Sequence, residues 1–315
     1  MPQFTVGPEE EGCRVDRIAR KKLALMPLSS IYALIRKRKI RVNDKKTKES
    51  YHLREGDILS IDVNDAEIVQ KASPDNLLSS LTKTTFFKNN FRILYEDDDL
   101  FACDKPAGLV VHAGSGHTNR DTLIDLAQAY LLDKGSTTEP ALVHRLDRDT
   151  SGVILIAKNK RTLRKLHDTF KERSITKEYR ALCHGRPPEN EATISVTLSR
   201  TDSRNNGMKM RVADAGQSAK SRYVLQSYYN DISNVAIFLE TGKTHQIRVQ
   251  MAHIGAPIIG DVRYGNTGKD TGLLKNHSRR LYLHAYRLSF THPVTKKKLT
   301  IKAPLPKEFS GLLNR

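Results

Sequence analysis

Nine residues, His144-Arg145-Leu146-Asp147-Arg148-Asp149-Thr150-Ser151-Gly152, directly precede the apolar run of residues 153–157. A short apolar run bounded by turn residues indicates a buried strand. The polar segment therefore predicts a loop that presents Asp147 at the edge of a rigid sheet, where the cations on either side favour the ionised carboxylate. Such a carboxylate can act as a nucleophile or as a base. The alternative is a structural aspartate that closes the loop through an Asx turn.

The charge balance of the chain points to a polyanionic partner. Its 315 residues include 53 lysines and arginines against 35 acidic residues, which gives a formal net charge of +18 and a pI near 9.8. A field of that sign and size favours nucleic acid or an acidic surface. The composition therefore predicts that the chain binds a polyanion.

Cysteine usage and hydropathy bear on the cellular compartment. The three cysteines, Cys13, Cys103 and Cys183, lie far apart and show no zinc-ligand spacing, and such sparse usage is typical of a reducing cytoplasm. No apolar stretch approaches the roughly 18 residues that a membrane span needs. Residues 1–11 lack the apolar core of a signal peptide. We therefore expect a cytoplasmic protein with no membrane partner.

The first segment, residues 12–65, has the pattern of a small separate domain. Apolar residues recur at helical spacing in residues 14–23 and 29–36, and short strands are predicted at residues 40–43 and 56–63. This order resembles the αL RNA-binding motif shared by a ribosomal small-subunit protein and several RNA-modifying enzymes. The resemblance implies phosphate contacts by the basic residues Arg36, Lys37, Arg38, Lys39 and Arg41. The alternative is that this basic run is only a solvated face.

The rest of the chain divides into a linker and a larger domain. Residues 66–90 are polar with little periodicity, which indicates a linker. From residue 91 to residue 315, strand patterns alternate with helical patterns at residues 122–132 and 161–171. We therefore predict an α+β fold with a mixed, largely antiparallel sheet.

Several short segments of the larger domain carry a family resemblance. Besides the signature of residues 144–152 they are, in order, Lys105-Pro106-Ala107-Gly108, Lys177-Glu178-Tyr179-Arg180-Ala181-Leu182, Thr241-Gly242-Lys243-Thr244-His245-Gln246-Ile247-Arg248-Val249, Gly260-Asp261-Val262-Arg263-Tyr264-Gly265 and Leu283-His284-Ala285. This combination resembles the RluA-type pseudouridine synthases over nearly all of residues 91–305. With the small N-terminal domain and the insert between Gly265 and Arg280, the chain is most similar to the large-subunit rRNA synthase C branch.

The resemblance implies an isomerase that converts uridine to pseudouridine in RNA, with 23S rRNA of the large ribosomal subunit as the expected substrate. The reaction breaks the bond from ribose C1′ to uracil N1, turns the base and joins C1′ to C5. Asp147 matches the essential aspartate of the family, which would either attack C1′ or remove the ribose 2′ proton. The sequence leaves both roles open. Because the chemistry requires none, we expect no cofactor and no metal.

Arg248 and Tyr179 are the other catalytic residues that the resemblance implies. Arg248 matches the arginine that pairs with the essential carboxylate, and a guanidinium is always charged and can bond a carboxylate through two N–H groups. Apolar residues at helical spacing around it, including Ile247, predict a helix packed on the core, with Ile247 at the substrate. The ring of Tyr179 can stack on uracil, a contact worth roughly 1–3 kcal/mol per base, and its hydroxyl could assist removal of the C5 proton. The alternatives are a surface arginine and a core tyrosine.

Three more residues are expected near the substrate. Arg145 precedes the essential aspartate, and the resemblance implies that it enters the RNA stack and helps to expel the target nucleotide. His144 is expected to shape the loop through hydrogen bonds rather than to transfer protons. Lys105 is expected to order the active-site loop or to touch a phosphate.

Two other functions fit part of this pattern. A non-catalytic RNA-binding ribosome-assembly factor would share the charge and the small domain, but it would have no reason to keep Asp147, Tyr179 and Arg248 together. A synthase that acts on tRNA would share the chemistry and differ in its target. We expect a monomer whose partner is large-subunit rRNA.

Overall fold

The computed structural model describes residues 2–8, 10–23, 28–62, 91–112, 122–136, 138–171, 175–203 and 207–313. These residues fall into two compact units, the first within residues 2–62 and the second within residues 91–112 and 122–313. The predicted linker of residues 66–90 lies outside the described residues. None of the helices in the described ranges is long and apolar enough to cross a lipid bilayer.

The first unit combines two helices with a small antiparallel sheet of strand order β1-β4-β2-β3. Its elements are α1 (Val15–Lys22), α2 (Leu28–Arg36), β1 (Gln3–Thr5), β2 (Ile40–Val42), β3 (Lys45–Lys46) and β4 (Ile58–Ile61). Apolar side chains of both helices and of β2 and β4 form one buried cluster, which includes Ile18, Ile31 and Leu59. The helices and strands predicted here are confirmed. Because β1 pairs with β4, the sheet extends on the N-terminal side of residue 12, where the sequence predicted that the domain begins.

The second unit is built on a long mixed sheet. Its helices are α3 (Leu123–Asp133), α4 (Lys160–Lys171), α5 (Gln246–His253), α6 (Thr267–Leu273) and α7 (Lys307–Leu313). Its strands are β5 (Arg92–Glu96), β6 (Leu100–Lys105), β7 (Ala141–Leu142), β8 (Ser151–Ala157), β9 (Thr176–His184), β10 (Glu191–Ser203), β11 (Gly207–Val212), β12 (Gln217–Tyr229), β13 (Ile232–Leu239), β14 (Leu283–Thr291) and β15 (Lys298–Lys302). The order is β11-β10-β12-β13-β9-β14-β8-β6-β5, with β7 paired to β8 and β15 to β14. Among these strands β8 and β14 run parallel and the other pairs antiparallel, which confirms the predicted α+β fold.

Strand β8 is the continuation of the signature and lies inside the sheet. All seven of its residues are buried, so the predicted strand at residues 153–157 is confirmed. Gly152, the last residue of the signature, has φ +111°, and a Cβ there would lie 2.2 Å from the carbonyl oxygen of Ala285 on β14. Only glycine combines that backbone conformation with so close an approach. This contact fixes where the signature loop enters the sheet.

Both faces of the sheet are covered. Val153 and Leu155 of β8 pack with Leu166 of α4 and with apolar residues of β14 and β15. Side chains alternate between the two faces of a strand. A second cluster joins β9 and β13 to the C-terminal helix α7 through residues that include Leu182 and Phe309. The signature loop therefore leads into a sheet that is packed on both faces and is rigid.

Candidate active site

A cavity of about 110 Å³ lies beside the signature loop. Its walls come from segments that are far apart in the sequence: the signature loop, β9, the loop after β13 and the start of α5. Five of the predicted site residues meet there, namely Arg145, Asp147, Tyr179, Ile247 and Arg248. The fold thus brings together the three implied catalytic residues.

Arg248 connects two carboxylates. Its Nη1 lies 3.4 Å from Oδ2 of Asp147, whereas its Nε and Nη2 donate to Asp261 at 2.7 and 2.8 Å. The two-bond partner of the guanidinium is therefore Asp261, and Asp147 receives one longer contact. The predicted pairing of Arg248 with Asp147 exists, but most of the orientation of Arg248 comes from Asp261.

Asp261 is a functional residue whose role the sequence did not indicate. The carboxylate is 1% exposed, and it also accepts from the backbone N–H groups of Arg263 and Tyr264. Burial alone would raise the pKa of Asp261, but the hydrogen bonds and charge of Arg248 lower it below its ordinary value. In turn, although burial opposes it, Asp261 and Asp147 raise the pKa of Arg248. The guanidinium therefore stays charged beside Asp147.

The arginines that flank Asp147 in the sequence behave differently from the prediction. Arg148 turns to its neighbour Asp149, with contacts of 2.9 and 3.2 Å. Arg145 is exposed, lines the cavity and makes no hydrogen bond or ion pair with a described residue. The positive charge nearest to Asp147 is thus supplied by α5 rather than by the loop itself.

Two glutamines hold α5 and the loop before it in place. Gln246 accepts from the hydroxyl of Thr241 at 2.8 Å and from the backbone N–H of Lys243 at 3.0 Å. One helical turn later, Gln250 donates to the carbonyl oxygens of Ile194 and Ala219 on the sheet. Both side chains are buried, where unsatisfied amides would be costly. These bonds explain why a polar sequence forms a buried helix that presents Arg248.

His245 is a second group beside Asp147 that the sequence did not single out. The backbone N–H of Met210 donates to the hydroxyl of Tyr264 at 2.9 Å, and that hydroxyl lies 2.8 Å from Nδ1 of His245. When the phenol O–H donates its hydrogen bond to Nδ1, the histidine proton is on Nε2, 4.0 Å from Oδ2 of Asp147. Burial lowers the pKa of His245, so the neutral ring directs an N–H at the carboxylate. The left-handed backbone of His245, with φ +55°, is costly and typical of functional sites.

Tyr179 forms a wall of the cavity. It lies in β9 between β13 and β14 and is 9% exposed. Burial and the nearby charge of Asp147 raise the pKa of the Tyr179 phenol. The hydroxyl is therefore protonated at neutral pH and is a poor base for the C5 proton. The ring is left as a platform on which a base can stack.

His144 and Lys105 support the signature loop from the side of the protein core. Nε2 of His144 accepts from the backbone N–H of Leu155 at 3.1 Å, its ring stacks on Phe170, and burial lowers its pKa to about 3. The ring faces the core rather than the cavity, which fits the expected role in shaping the loop and not a contact with substrate. Lys105 is fully buried.

The ammonium of Lys105 ties two loops together. It donates to the carbonyl oxygens of Pro106, Leu109 and Arg148 at 2.7–2.9 Å, and burial lowers its pKa to about 7. Because its three donors are used inside the protein, Lys105 orders the signature loop and does not touch a phosphate.

The basic run of the first unit lies at the end of α2. Arg36, Lys37, Arg38 and Lys39 are exposed, and Arg41 is half-buried. Lys39 N–H bonds to Leu34 and Arg38 N–H to Ile35, which closes the helix with a Schellman motif. Arg38 occupies its left-handed position with φ +60°, where glycine is usual. The turn therefore presents consecutive cations to solvent at the helix end.

One group of potential metal ligands exists among the described residues, Asp97, Asp99 and His292. Nδ1 of His292 accepts from the backbone N–H groups of Val294 and Thr295, so its Nε2 carries the proton and faces Asp97 at 3.1 Å. Asp97 also accepts from Tyr95 and from two backbone N–H groups. Hydrogen bonds within the protein therefore explain this cluster, and its role is to stabilise the β5–β6 turn.

Comparison with known proteins agrees with this geometry. A profile of the RNA pseudouridylate synthase family matches residues 99–253. The ribosomal large subunit pseudouridine synthase C of Buchnera aphidicola subsp. Acyrthosiphon pisum is 37% identical over 308 residues, which cover 96% of this chain and 93% of the relative. The chain belongs to the RNA pseudouridylate synthase family.

Other members of the family match over similar lengths. The synthase of the same name from Buchnera aphidicola subsp. Schizaphis graminum is 39% identical over 305 residues, 96% of this chain and 93% of the relative. Among solved structures, human RNA pseudouridylate synthase domain containing 4 is similar with a TM-score of 0.57 and 27% identity, covering 76% of this chain and 95% of that one. The predicted family, fold and reaction are confirmed: the protein is an isomerase that converts uridine to pseudouridine in RNA.

Proposed function

We propose that this pseudouridine synthase modifies uridines of large-subunit rRNA and that Asp147 is its catalytic carboxylate. The observation that carries the assignment of Asp147 is its position at the cavity, in contact with an arginine whose other side is fixed by Asp261. The relatives that match over nearly the whole chain are named for large-subunit rRNA, which supports the substrate.

The contacts of Asp147 suit the chemistry of the reaction. An ionised Asp147 either attacks ribose C1′ as the bond to uracil N1 breaks, or removes the 2′ proton to start cleavage. In the first case C5 of the turned base displaces the Asp147 carboxylate from C1′; in the second, C5 bonds to C1′ while Asp147 returns the proton to C2′. In both cases the C5 proton then leaves to solvent. Arg248 orients the carboxylate through Nη1 and sets a positive charge beside it, and the Nε2–H of His245 provides a second favourable dipole. Fixed donors of this kind require little reorganisation during the reaction.

The substrate base is held by the cavity walls. The ring of Tyr179 supports the uracil while it is detached and turned, and Ile247 closes the apolar side of the cavity. Arg145 has no partner among the described residues, and its exposed guanidinium can take the place of the expelled base in the RNA stack. Taking a base out of its stack costs a few kcal/mol, which this replacement offsets.

The first unit supplies affinity in this proposal. The segment of residues 12–65 is the RNA-anchoring domain, and the exposed cations at the end of α2 contact phosphates. We propose that the enzyme acts as a monomer. The proposed rRNA substrate supports a location in the cytoplasm.

Tritium release tests the substrate. Unmodified large-subunit rRNA and tRNA, each labelled at uracil C5, are incubated with the enzyme, and release of tritium reports formation of the new C1′–C5 bond. We expect release from the rRNA alone. Release from tRNA alone would overturn the proposed substrate in favour of a tRNA synthase, and release from neither RNA, together with tight and salt-sensitive binding, would favour an assembly factor.

A further inference from the structure

Two more cavities of the second unit adjoin the active site. One of about 330 Å³ shares Arg248 with the active-site cavity. The other, of about 650 Å³, shares Arg280 and Ala107 with the cavity of about 330 Å³. Shared walls make these spaces neighbours along one surface that leads away from Asp147. We call the two cavities together the arginine groove, because Arg279 and Arg280 line it.

Arg280 is a buried cation that lacks a close counter-charge. Its side chain is 13% exposed, and the nearest carboxylate oxygen, on Glu308, lies 3.9 Å from Nη1. Nε and Nη2 donate to the carbonyl of Leu281 and to the hydroxyl of Ser151. Nη1 has no hydrogen-bond partner among the described residues. Burial lowers the pKa of Arg280, because a buried charge is costly until it is paired.

A chain of hydrogen bonds through Ser151 fixes the orientation of the Arg280 guanidinium. Nε2 of the buried His284 faces the carbonyl oxygen of Ala303 at 3.4 Å, so it carries the proton, and Nδ1 accepts from the hydroxyl of Ser151 at 2.8 Å. That hydroxyl is therefore left as an acceptor for Nη2 of Arg280. Burial lowers the pKa of His284 to about 4, so this arrangement persists at neutral pH. The guanidinium is held with one edge towards the groove.

The neighbouring residue adds a second free cation. Arg279 is exposed, lines the groove and makes no hydrogen bond or ion pair with a described residue. Arg92 and Lys307 line the far end. Seven lysines and arginines line the groove against four acids, Asp104, Asp149, Asp261 and Glu308. The groove therefore carries excess positive charge beside the catalytic cavity.

We infer that the arginine groove binds the phosphodiester chain of the substrate RNA next to the target uridine. Arg280 contacts one phosphate through its fixed free edge, and Arg279 contacts the same or the adjacent one. The planar guanidinium fork matches phosphate geometry, and a strand whose uridine lies in the catalytic cavity has to continue along an adjoining surface. This inference rests on the RNA substrate of the proposed function, but it does not depend on which RNA that is.

Salt-dependent binding tests the groove. The dissociation constant of unmodified large-subunit rRNA is measured between 50 and 200 mM salt for the wild type, Arg279→Gln, Arg280→Gln and the control Arg186→Gln. Arg186 is an exposed arginine after β9 that bonds to Asn190 and lines none of the three cavities. Thermal unfolding checks that the Arg280 variant is folded, and Arg279→Gln changes only an exposed side chain.

Loss of one phosphate contact lowers the salt slope by about 0.7 for a single strand. The advantage of the wild type over Arg279→Gln should therefore shrink about 2.6-fold across this fourfold range of salt. KM should rise while the single-turnover rate at saturating RNA changes little. Salt slopes for both variants equal to that of Arg186→Gln would overturn the inference.

The two proposals fail in different ways. If tritium release selects tRNA, the proposed substrate fails, and the same binding series is measured with tRNA. If release from rRNA is normal but both arginine variants keep the full salt slope, only the groove fails.

Discussion

The buried Asp261 and the half-buried Asp104 both lie beside an arginine, yet the pKa values of their carboxyl groups move in opposite directions. Burial would raise both. At Asp261 the two hydrogen bonds and the charge of Arg248 reverse the effect and lower the pKa. At Asp104 burial prevails over the charges of Arg92 and Arg280, and the pKa rises to about 6. No hydrogen bond from a described residue reaches the Asp104 carboxylate.

Arg248 and Arg280 have correspondingly different surroundings. Arg248 is neutralised within the protein, and its remaining N–H points at Asp147. Arg280 is held by a hydroxyl and a carbonyl and has no close carboxylate. A guanidinium that is internally paired can orient another side chain with little change during turnover. One that is not paired gains most from an anion that arrives from outside.

The largest effect is expected from disrupting the pair of Arg248 and Asp261. Arg248→Lys keeps the charge, but an ammonium cannot bond Asp261 with two N–H groups and still reach Asp147. We expect the single-turnover rate of tritium release to fall about a hundredfold, the usual effect of a misplacement near 1 Å. Arg186→Lys makes the same exchange on the exposed surface and serves as the control. Equal rates for the two variants would show that the Arg248–Asp261 pair does not position Asp147.

A smaller effect is expected from Asp104→Asn, which changes the carboxyl group near Arg280. The quantity affected is the free energy of unfolding. The folded protein holds the Asp104 proton up to about pH 6, whereas the unfolded chain loses it near the ordinary value of 3.8. The free energy of unfolding of the wild type therefore falls as the pH rises from about 4 to about 6. The variant lacks this loss, so its stability relative to the wild type should increase by about 2–3 kcal/mol over that interval.

Urea unfolding at several pH values measures this difference. Asp98→Asn, an exposed aspartate in the β5–β6 turn, shows what the same substitution does without burial. A stability difference between Asp104→Asn and the wild type that stays constant from pH 4 to pH 7 would contradict the account of Asp104.

Much of the fold could be predicted because it depends on local patterns. The apolar residues after the signature form β8, and Ile247 and its neighbours form α5, as periodicity indicated. The gathering of Asp147, Tyr179 and Arg248 at one cavity followed from the family resemblance, since nothing in their spacing places β9 beside α5. The family resemblance therefore identified the site residues, whereas their spacing in the sequence did not explain how they come together.

The directions of polar side chains could not be predicted. Whether Arg248 bonds Asp147 or Asp261 with two N–H groups depends on angles set by α5 and by the turn at Gly260. Lys105 and His144 point inwards because backbone groups of other segments need partners there. The tautomer of His245 depends on a backbone N–H of β11, a strand that is distant in the sequence. Such choices depend on tertiary contacts, and local sequence does not contain them.

The central claim, that Asp147 is the catalytic carboxylate, is tested most directly by single-turnover tritium release from the large-subunit rRNA. Asp147→Asn is compared with Asp149→Asn, which removes the same charge from the same loop at a residue paired with Arg148. We expect Asp147→Asn to bind RNA as the wild type does and to lose about a hundredfold or more in rate, while Asp149→Asn keeps its rate. Comparable rates for the two variants would contradict the account.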